Sequence, residues 1–336
     1  MVGRPVKKRK KTPSRSGGES IVIEAAWMYY HDGLNQSEIA RLLHVSRATV
    51  VNYLQEARER GLIRISLSAE AFTTHRIALD MRQTFGLKAA YILPEEGLKD
   101  DEEVLLRVAR GAAEWLPELI APGDRLGVAW GRTVYEMAEA LEPMKTHDVT
   151  VSQLVGSMAT PYGFTAEICS AHMAHRLGAK CINLHAPAIL SDPQLAARLR
   201  AEPIIARQLD ALSHCNMAIF AAGSCNPGSH IVGSGVATAE DLAWYVRNGA
   251  TGVLCGRFID ARGRPVPGPL DARMIGVSLD KLLNLDMGLL VSCGEEKVIP
   301  MLSAIAGGYV THIVTNMKAA RSMLKLVHEG TFPAPA

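Results

Sequence analysis

Over roughly 250 residues, short apolar runs of strand length alternate with amphipathic stretches of helix length, the runs falling at 126–130, 149–155, 218–222, 252–255, 289–292 and 313–315. A strand apolar on both faces must be covered on both. A helix after each strand returns the chain so that the next one runs in the same direction. The pattern predicts an α/β domain with a mostly parallel sheet between helical layers, entered through a helical connector at 76–85. No segment repeats at a fixed period, which excludes a solenoid. A chain of 336 residues is about twice the usual length of one domain, and 48% hydrophobic residues supply apolar material for a second core.

That second domain precedes the sheet. The formal net charge of +2 conceals an asymmetry: through Ile65 there are 12 Lys and Arg against 6 Asp and Glu, and beyond it 24 against 28. Residues 1–18, with the KKRKK run and few apolar side chains, read as a disordered basic arm. Within 19–67 the character changes. Ile21, Ala25, Met28 and Tyr29 fall at helical spacing, and Asp32-Gly33 ends that helix. A helix over 36–43 turns Ile39, Leu42 and Leu43 inward, and after a turn at His44-Val45 the Ser46 side chain caps a third helix running to Arg60. Residues 62–67 alternate like a short strand. The expected unit is a winged helix-turn-helix, all-α with a short wing, followed by the larger α/β domain over 68–336.

A helix-turn-helix reads bases through the N-terminal residues of its second helix. Here that helix begins SRATVVNYL; Val50, Leu54 and Ala57 face the core and leave Ser46, Arg47, Thr49, Asn52 and Tyr53 on or near the outer face. Arg47 suits guanine or phosphate, Asn52 the two-point contact with adenine, and Thr49 a thymine methyl. Gln36 and Ser37 start the preceding helix, where short polar side chains meet phosphates. In the arm, Gly3-Arg4-Pro5 with Lys7, Lys8 and Arg9 is similar to an AT-hook. It either enters a narrow minor groove or runs along phosphates, and both readings predict steep salt dependence.

Two glycine-bearing strand ends stand out in the second domain. GVAWGRT (127–133) closes one strand and opens a helix, so its backbone N–H groups and the Thr133 hydroxyl can surround an anion, with Arg132 adding charge. The same glycines would also permit close packing. CGEEK (293–297) repeats the arrangement with Lys297 as the cation. Open α/β sheets bind ligands at the carboxyl ends of their strands, so two such turns point to one site.

QSEIARLLHVSRATVVNYLQEARERGLIRI, then GVAWGRT and CGEEK in that order and spacing, resembles the SorC-type sugar-binding transcriptional regulators. The resemblance implies a tetrameric or dimeric regulator of a carbohydrate or polyol operon, whose effector domain resembles sugar-phosphate isomerases and deaminases. By it, Gly131, Arg132, Thr133 and Lys297 match phosphate-binding positions, Gln153 a sugar-contacting one, and Asp260 a recurrent aspartate; Gly294 and Glu295 belong to the second turn. The loop at 222–229 matches one expected to close over the ligand. Val253 stands where an acidic residue is common, and Asn316-Met317 where two carboxylates are, so a less polar cavity is expected. Asn52 and His44 also depart from the family, which implies a different operator.

The expected partners are a palindromic double-stranded operator, a small carbohydrate, polyol or sugar-phosphate effector, and further copies of the chain. An enzyme reading rests on Glu295, Glu296 and Lys297 as acid, base and amine, yet no second carboxylate or histidine motif at catalytic spacing accompanies them. A regulator that is not an enzyme is therefore expected. Cys169, His172 and His175 lie three apart on a helix and rotate away from any single point, so neither metal nor cofactor is expected. The six cysteines lie singly, as in a cytoplasmic protein with reduced thiols, and no apolar run of 18 residues indicates a membrane span.

Overall fold

The computed structural model describes residues 15–63, 68–158 and 163–333. The chain divides into two compact units at residues 67 and 68.

Among its described residues the first unit has three helices: α1 (Arg15–Tyr30), α2 (Gln36–Leu42) and α3 (Arg47–Glu59). Its core is Val22, Ala25 and Ala26 from α1, Ile39 and Ala40 from α2, and Val50, Leu54 and Ala57 from α3. The start of α2 is fixed by a reciprocal capping box: Asn35 Oδ1 accepts from the Ser37 and Glu38 amides, and Glu38 accepts from the Asn35 amide at 2.8 Å. Ser46 caps α3 as expected, its Oγ accepting the Thr49 amide at 3.0 Å. His44 takes φ of 53° in the turn between them, a left-handed conformation costly for a residue with a Cβ.

Some expectations change here. α1 begins at Arg15, four residues inside the stretch read as arm, because adding a residue to a nucleated helix costs far less than starting one. Tyr29 is exposed while Val22 and Ala26 are buried, so the inward face is rotated from the one the spacing suggested. Leu42 is 57% exposed, and the inward face of α2 is made by Ile39 and Ala40 with Leu43 packed against them. The wing expected at 62–67 falls mostly on 64–67, outside the described residues, as do Arg4, Lys7, Lys8 and Arg9.

The second unit is built on a seven-stranded sheet. Its strands are β1 (Ala89–Leu93), β2 (Arg125–Val128), β3 (Thr150–Gln153), β4 (Lys180–Ile182), β5 (Met217–Phe220), β8 (Met287–Val291) and β9 (His312–Asn316); β6 (Ala250–Leu254) and β7 (Arg257–Asp260) form a separate antiparallel hairpin. The sheet order is β1-β9-β8-β5-β2-β3-β4 and every pairing in it is parallel. Successive side chains enter two different cores: Ala90 and Ile92 of β1, with Ala218 and Phe220 of β5, join one, while Tyr91 and Leu93, with Met217 and Ile219, join the other. That double burial is why these strands are apolar without alternation. The run at 252–255 lies outside the sheet because, among the described residues, β6 pairs with β7 and otherwise makes a single bridge, between Val253 and Gly223.

The topology positions the site. From β2 the chain moves outward through β3 and β4, then returns to the other side of β2 as β5 before continuing to β8, so the connections leaving β2 and β5 diverge. A crevice opens at such a switch point, beyond the carboxyl ends of the strands. Among the described residues no helix is long and apolar enough to cross a membrane.

Candidate effector site

A cavity of about 610 Å³ occupies that crevice. Its walls come from the segments after β2 (Trp130 to Thr133), after β5 (Ala221 to Ile231) and after β8 (Ser292 to Lys297), with Val253, Cys255 and Gly256 from the hairpin and Asp101, Val104 and Leu105 from the helix Asp101–Leu119. Both expected turns thus meet at one cavity. Gly131, at φ 132°, precedes the helix Arg132–Ala140, and Gly294, at φ 92°, precedes a short turn of 3₁₀ helix leading into Val298–Ala306. Both backbones lie where a Cβ is strained, which frees the following amides to point along the helix axis toward a ligand.

The cations at the site already have partners. Lys297 Nζ lies 3.1 Å from Glu296 and donates to Ser224 Oγ at 3.4 Å, with one-fifth of the side chain exposed. Arg132 is hydrogen-bonded and ion-paired to Glu102 in the first turn of the helix Asp101–Leu119. Glu295 accepts from Ser322 Oγ at 3.1 Å and lies 4.0 Å from Lys318. An anionic ligand would therefore compete with three carboxylates for these cations. Thr133 is buried and borders the cavity.

Two residues that the resemblance carried to the site lie elsewhere. Gln153 is fully buried, its amide donating to the Val155 carbonyl at 2.8 Å and accepting from the Leu184 amide at 3.1 Å; it ties β3 to the segment after β4 and does not border the cavity. Asp260 closes the turn after β7. Burial pushes its carboxyl up, but the Arg264 amide and guanidinium and the Arg262 amide outweigh that and hold it below the usual range. Its contacts make it a turn-forming residue.

The structure adds residues that the motifs did not mark. His230 stands exposed at the mouth, its ring 5.2 Å from Phe164. Partial desolvation there, then the Lys297 ammonium, lower its pKa; Glu296 opposes and Arg132 adds to the shift. Cys293 borders the cavity as a neutral thiol, pushed to about 12 by burial and by Asp101, against Lys297, with Glu95 and Glu296 adding. Asn316, where the resemblance led one to expect a carboxylate, accepts the Gly294 amide at 3.3 Å and donates to Glu95, so it holds the second turn in place. Only a fold that brings β9 beside β8 could reveal that contact. Cys169 Sγ donates to the Gly131 carbonyl at 3.9 Å and His172 bonds Glu139; among the described residues no three His, Cys, Asp or Glu side chains gather as metal ligands.

On α3, Arg47 and Asn52 are exposed, and Arg47 Nε donates to Gln36 Oε1 at 3.2 Å across the turn. Ser37 is exposed on α2. Thr49 is half-buried, its hydroxyl bonded to Ser46 at 2.8 Å, and Tyr53 packs on the core. Val51, 40% exposed, and Gln55 share the outward face with Asn52, which helical spacing had not singled out.

A doubly wound parallel sheet with a ligand-sized cavity at its switch point defines a small-molecule-binding α/β domain. The family model described as "Putative sugar-binding domain" matches residues 69–325. The chain is 37% identical over 320 residues to the uncharacterized transcriptional regulator YjhU of Escherichia coli (strain K12), spanning 94% of this chain and 98% of that one. It is 29% identical over 315 residues to the transcriptional regulator LsrR of Klebsiella pneumoniae subsp. pneumoniae, spanning 92% and 94%. The crystal structure of the full-length sorbitol operon regulator SorC from Klebsiella pneumoniae has the same fold, with a TM-score of 0.76 at 24% identity over 91% of this chain and 98% of that one. The chain belongs to the SorC-type sugar-binding transcriptional regulators.

Proposed function

We propose that the protein is a DNA-binding regulator of a carbohydrate or polyol catabolic operon, its operator affinity controlled by a sugar, polyol or sugar phosphate bound between residues 131–133 and 294–297. The observation that carries this reading is the cavity bordered by both glycine turns and by Lys297, in a chain of this family. α2 and α3 act as a helix-turn-helix, with Arg47 and Asn52 presented to the major groove, Ser37 and Gln36 near the phosphates, and the basic arm and wing adding contacts along the duplex. Ser46 and Thr49 serve through the cap they form, and Tyr53 through its packing.

The protein works in the cytoplasm as a dimer or tetramer, whose two-fold pairing of recognition helices favours a palindromic operator. Effector binding shifts the assembly between DNA-competent and DNA-incompetent arrangements by no more than its differential affinity for the two. Sensing is favoured over catalysis because relatives similar over nearly the whole chain are transcriptional regulators.

The test measures fluorescence anisotropy of DNA from upstream of the adjacent operon, titrated with the protein in the presence of sugars, polyols and their phosphates. At least one compound should change operator affinity by ~10-fold or more, within the usual range of allosteric coupling, and Lys297→Ala should abolish that response. If Lys297→Ala responds as the wild type does, the anion site is wrong. Conversion of a sugar phosphate by the protein, lost in Lys297→Ala, would favour an enzyme instead.

A further inference from the structure

Gln36 and Arg47 occupy equivalent places on two helices. Each is the first residue after a capped start: Asn35 caps α2 through the Ser37 and Glu38 amides, and Ser46 caps α3 through the Thr49 amide. Ile39 and Ala40 of α2 share one core with Val50 and Leu54 of α3, which holds the two starts relative to each other. The bond of 3.2 Å from Arg47 Nε to Gln36 Oε1 therefore joins two fixed points of the backbone. A guanidinium is a planar fork of N–H donors, and spending Nε–H on Gln36 leaves both Nη groups. Among the described residues Arg47 makes no ion pair that would occupy them, and its side chain is exposed. An unbraced exposed arginine must be ordered when it binds and can swing onto a phosphate, where it reads no base. Its exposed neighbours at i+1 and i+4 on α3, Ala48 and Val51, carry no side-chain hydrogen-bonding atom and cannot stand in for it. Gln36 is half-buried, and among the described residues its own amide N–H groups have no partner.

We infer that Gln36 is a positioning residue for base readout: its carbonyl braces the Arg47 guanidinium so that both Nη groups meet the O6 and N7 edge of one guanine, while its amide donates to a neighbouring phosphate. The operator half-site then contains a guanine whose selection depends on Gln36, a residue that touches no base. The brace also couples backbone contact to base contact, because the side chain that meets the phosphate is the one that holds the reading arginine. This inference rests on the DNA-reading function proposed for α3.

Selection of duplexes from a random pool by the full chain, followed by anisotropy on the selected site and its single-base variants, tests it. Arg47→Lys keeps the charge but lacks the fork, and it should erase the preference for one guanine. At that position, exchanging guanine for adenine should cost the wild type ~5- to 150-fold in affinity, the range of a good bidentate pair. Gln36→Ala should cut that ratio to ~3-fold or less. Gln36→Glu restores an acceptor for Nε but repels phosphate, so it should keep the ratio and weaken binding to every duplex alike. A purely structural role predicts the opposite pattern, with all affinities lowered in Gln36→Ala and the ratio unmoved. Melting curves report whether each variant folds, and Gln36→Met, similar in shape without the acceptor, replaces Gln36→Ala if that variant does not. An undiminished ratio in Gln36→Ala, or an unchanged site in Arg47→Lys, overturns this inference and leaves DNA binding standing. If the wild type selects no sequence from the pool, the DNA-reading function itself falls and carries this inference with it.

Discussion

At the scale of single residues, the proposed reading gives the outward side chains of α3 to DNA, while the caps beneath them fix the helix starts. Asn52 is exposed and its amide can both accept from and donate to adenine. Asn52→Ala should cost about 1–3 kcal/mol at the preferred operator and relax base preference at one position, measured by anisotropy on operator variants. A uniform loss across all variants would assign Asn52 to the phosphates. Asn35 contacts the Ser37 and Glu38 amides and fixes the start of α2. Asn35→Ala should destabilise the first unit by about 1 kcal/mol, seen in urea denaturation followed by circular dichroism. The capping residue Ser46 was legible from sequence because capping is local. Glu38 as the reciprocal partner of Asn35 is equally local, three residues on, and emerged only with the structure.

At the scale of elements, the strands carry the main prediction. His312 opens β9, its ring 5.7 Å from Trp115 and its Nδ1 2.8 Å from Thr311 Oγ1. Burial, then the Lys88 ammonium, depress its pKa from 6.5 to about 4. Between those values the unfolded chain binds the proton that the folded strand refuses, so stability rises with pH through that window. The neutral imidazole is fully accommodated above pH 6.5, and the strand is progressively destabilised as pH falls toward 4. His312→Asn should flatten this part of the stability–pH curve obtained from urea midpoints at successive pH values. An unchanged slope would mean that other groups set the acid limb. The run at 252–255 shows where element reading stops: its apolar pattern suits a sheet strand or a hairpin strand equally, and only the antiparallel partner β7 decides.

At the scale of the whole molecule, the charge division separates tasks. The net excess of six positive charges through Ile65 suits a polyanion, whereas the remainder is mildly acidic. On the proposed reading, operator affinity should fall steeply as salt rises, because each neutralised phosphate releases counterions. Replacing Arg4, Lys7, Lys8 and Arg9 together by Ala should lower the slope of log affinity against log salt by roughly 0.9 for each phosphate that the arm neutralises. A slope identical to wild type would remove the arm from the interface.

What the sequence determined by itself was encoded within a few residues: the βα alternation, the two glycine turns, the Ser46 cap and the apolar face of α3. These depend on backbone sterics and on side-chain periodicity, which act locally. Only the tertiary structure decided that Arg132 is held by Glu102, that Asn316 steadies the Gly294 turn, and that Gln153 accepts the Leu184 amide away from the cavity. It also decided that the two glycine turns border one cavity. Those relations join segments separated by tens of residues. They follow from the order in which parallel strands are laid beside one another, and the linear pattern of apolar runs is nearly the same for many such orders.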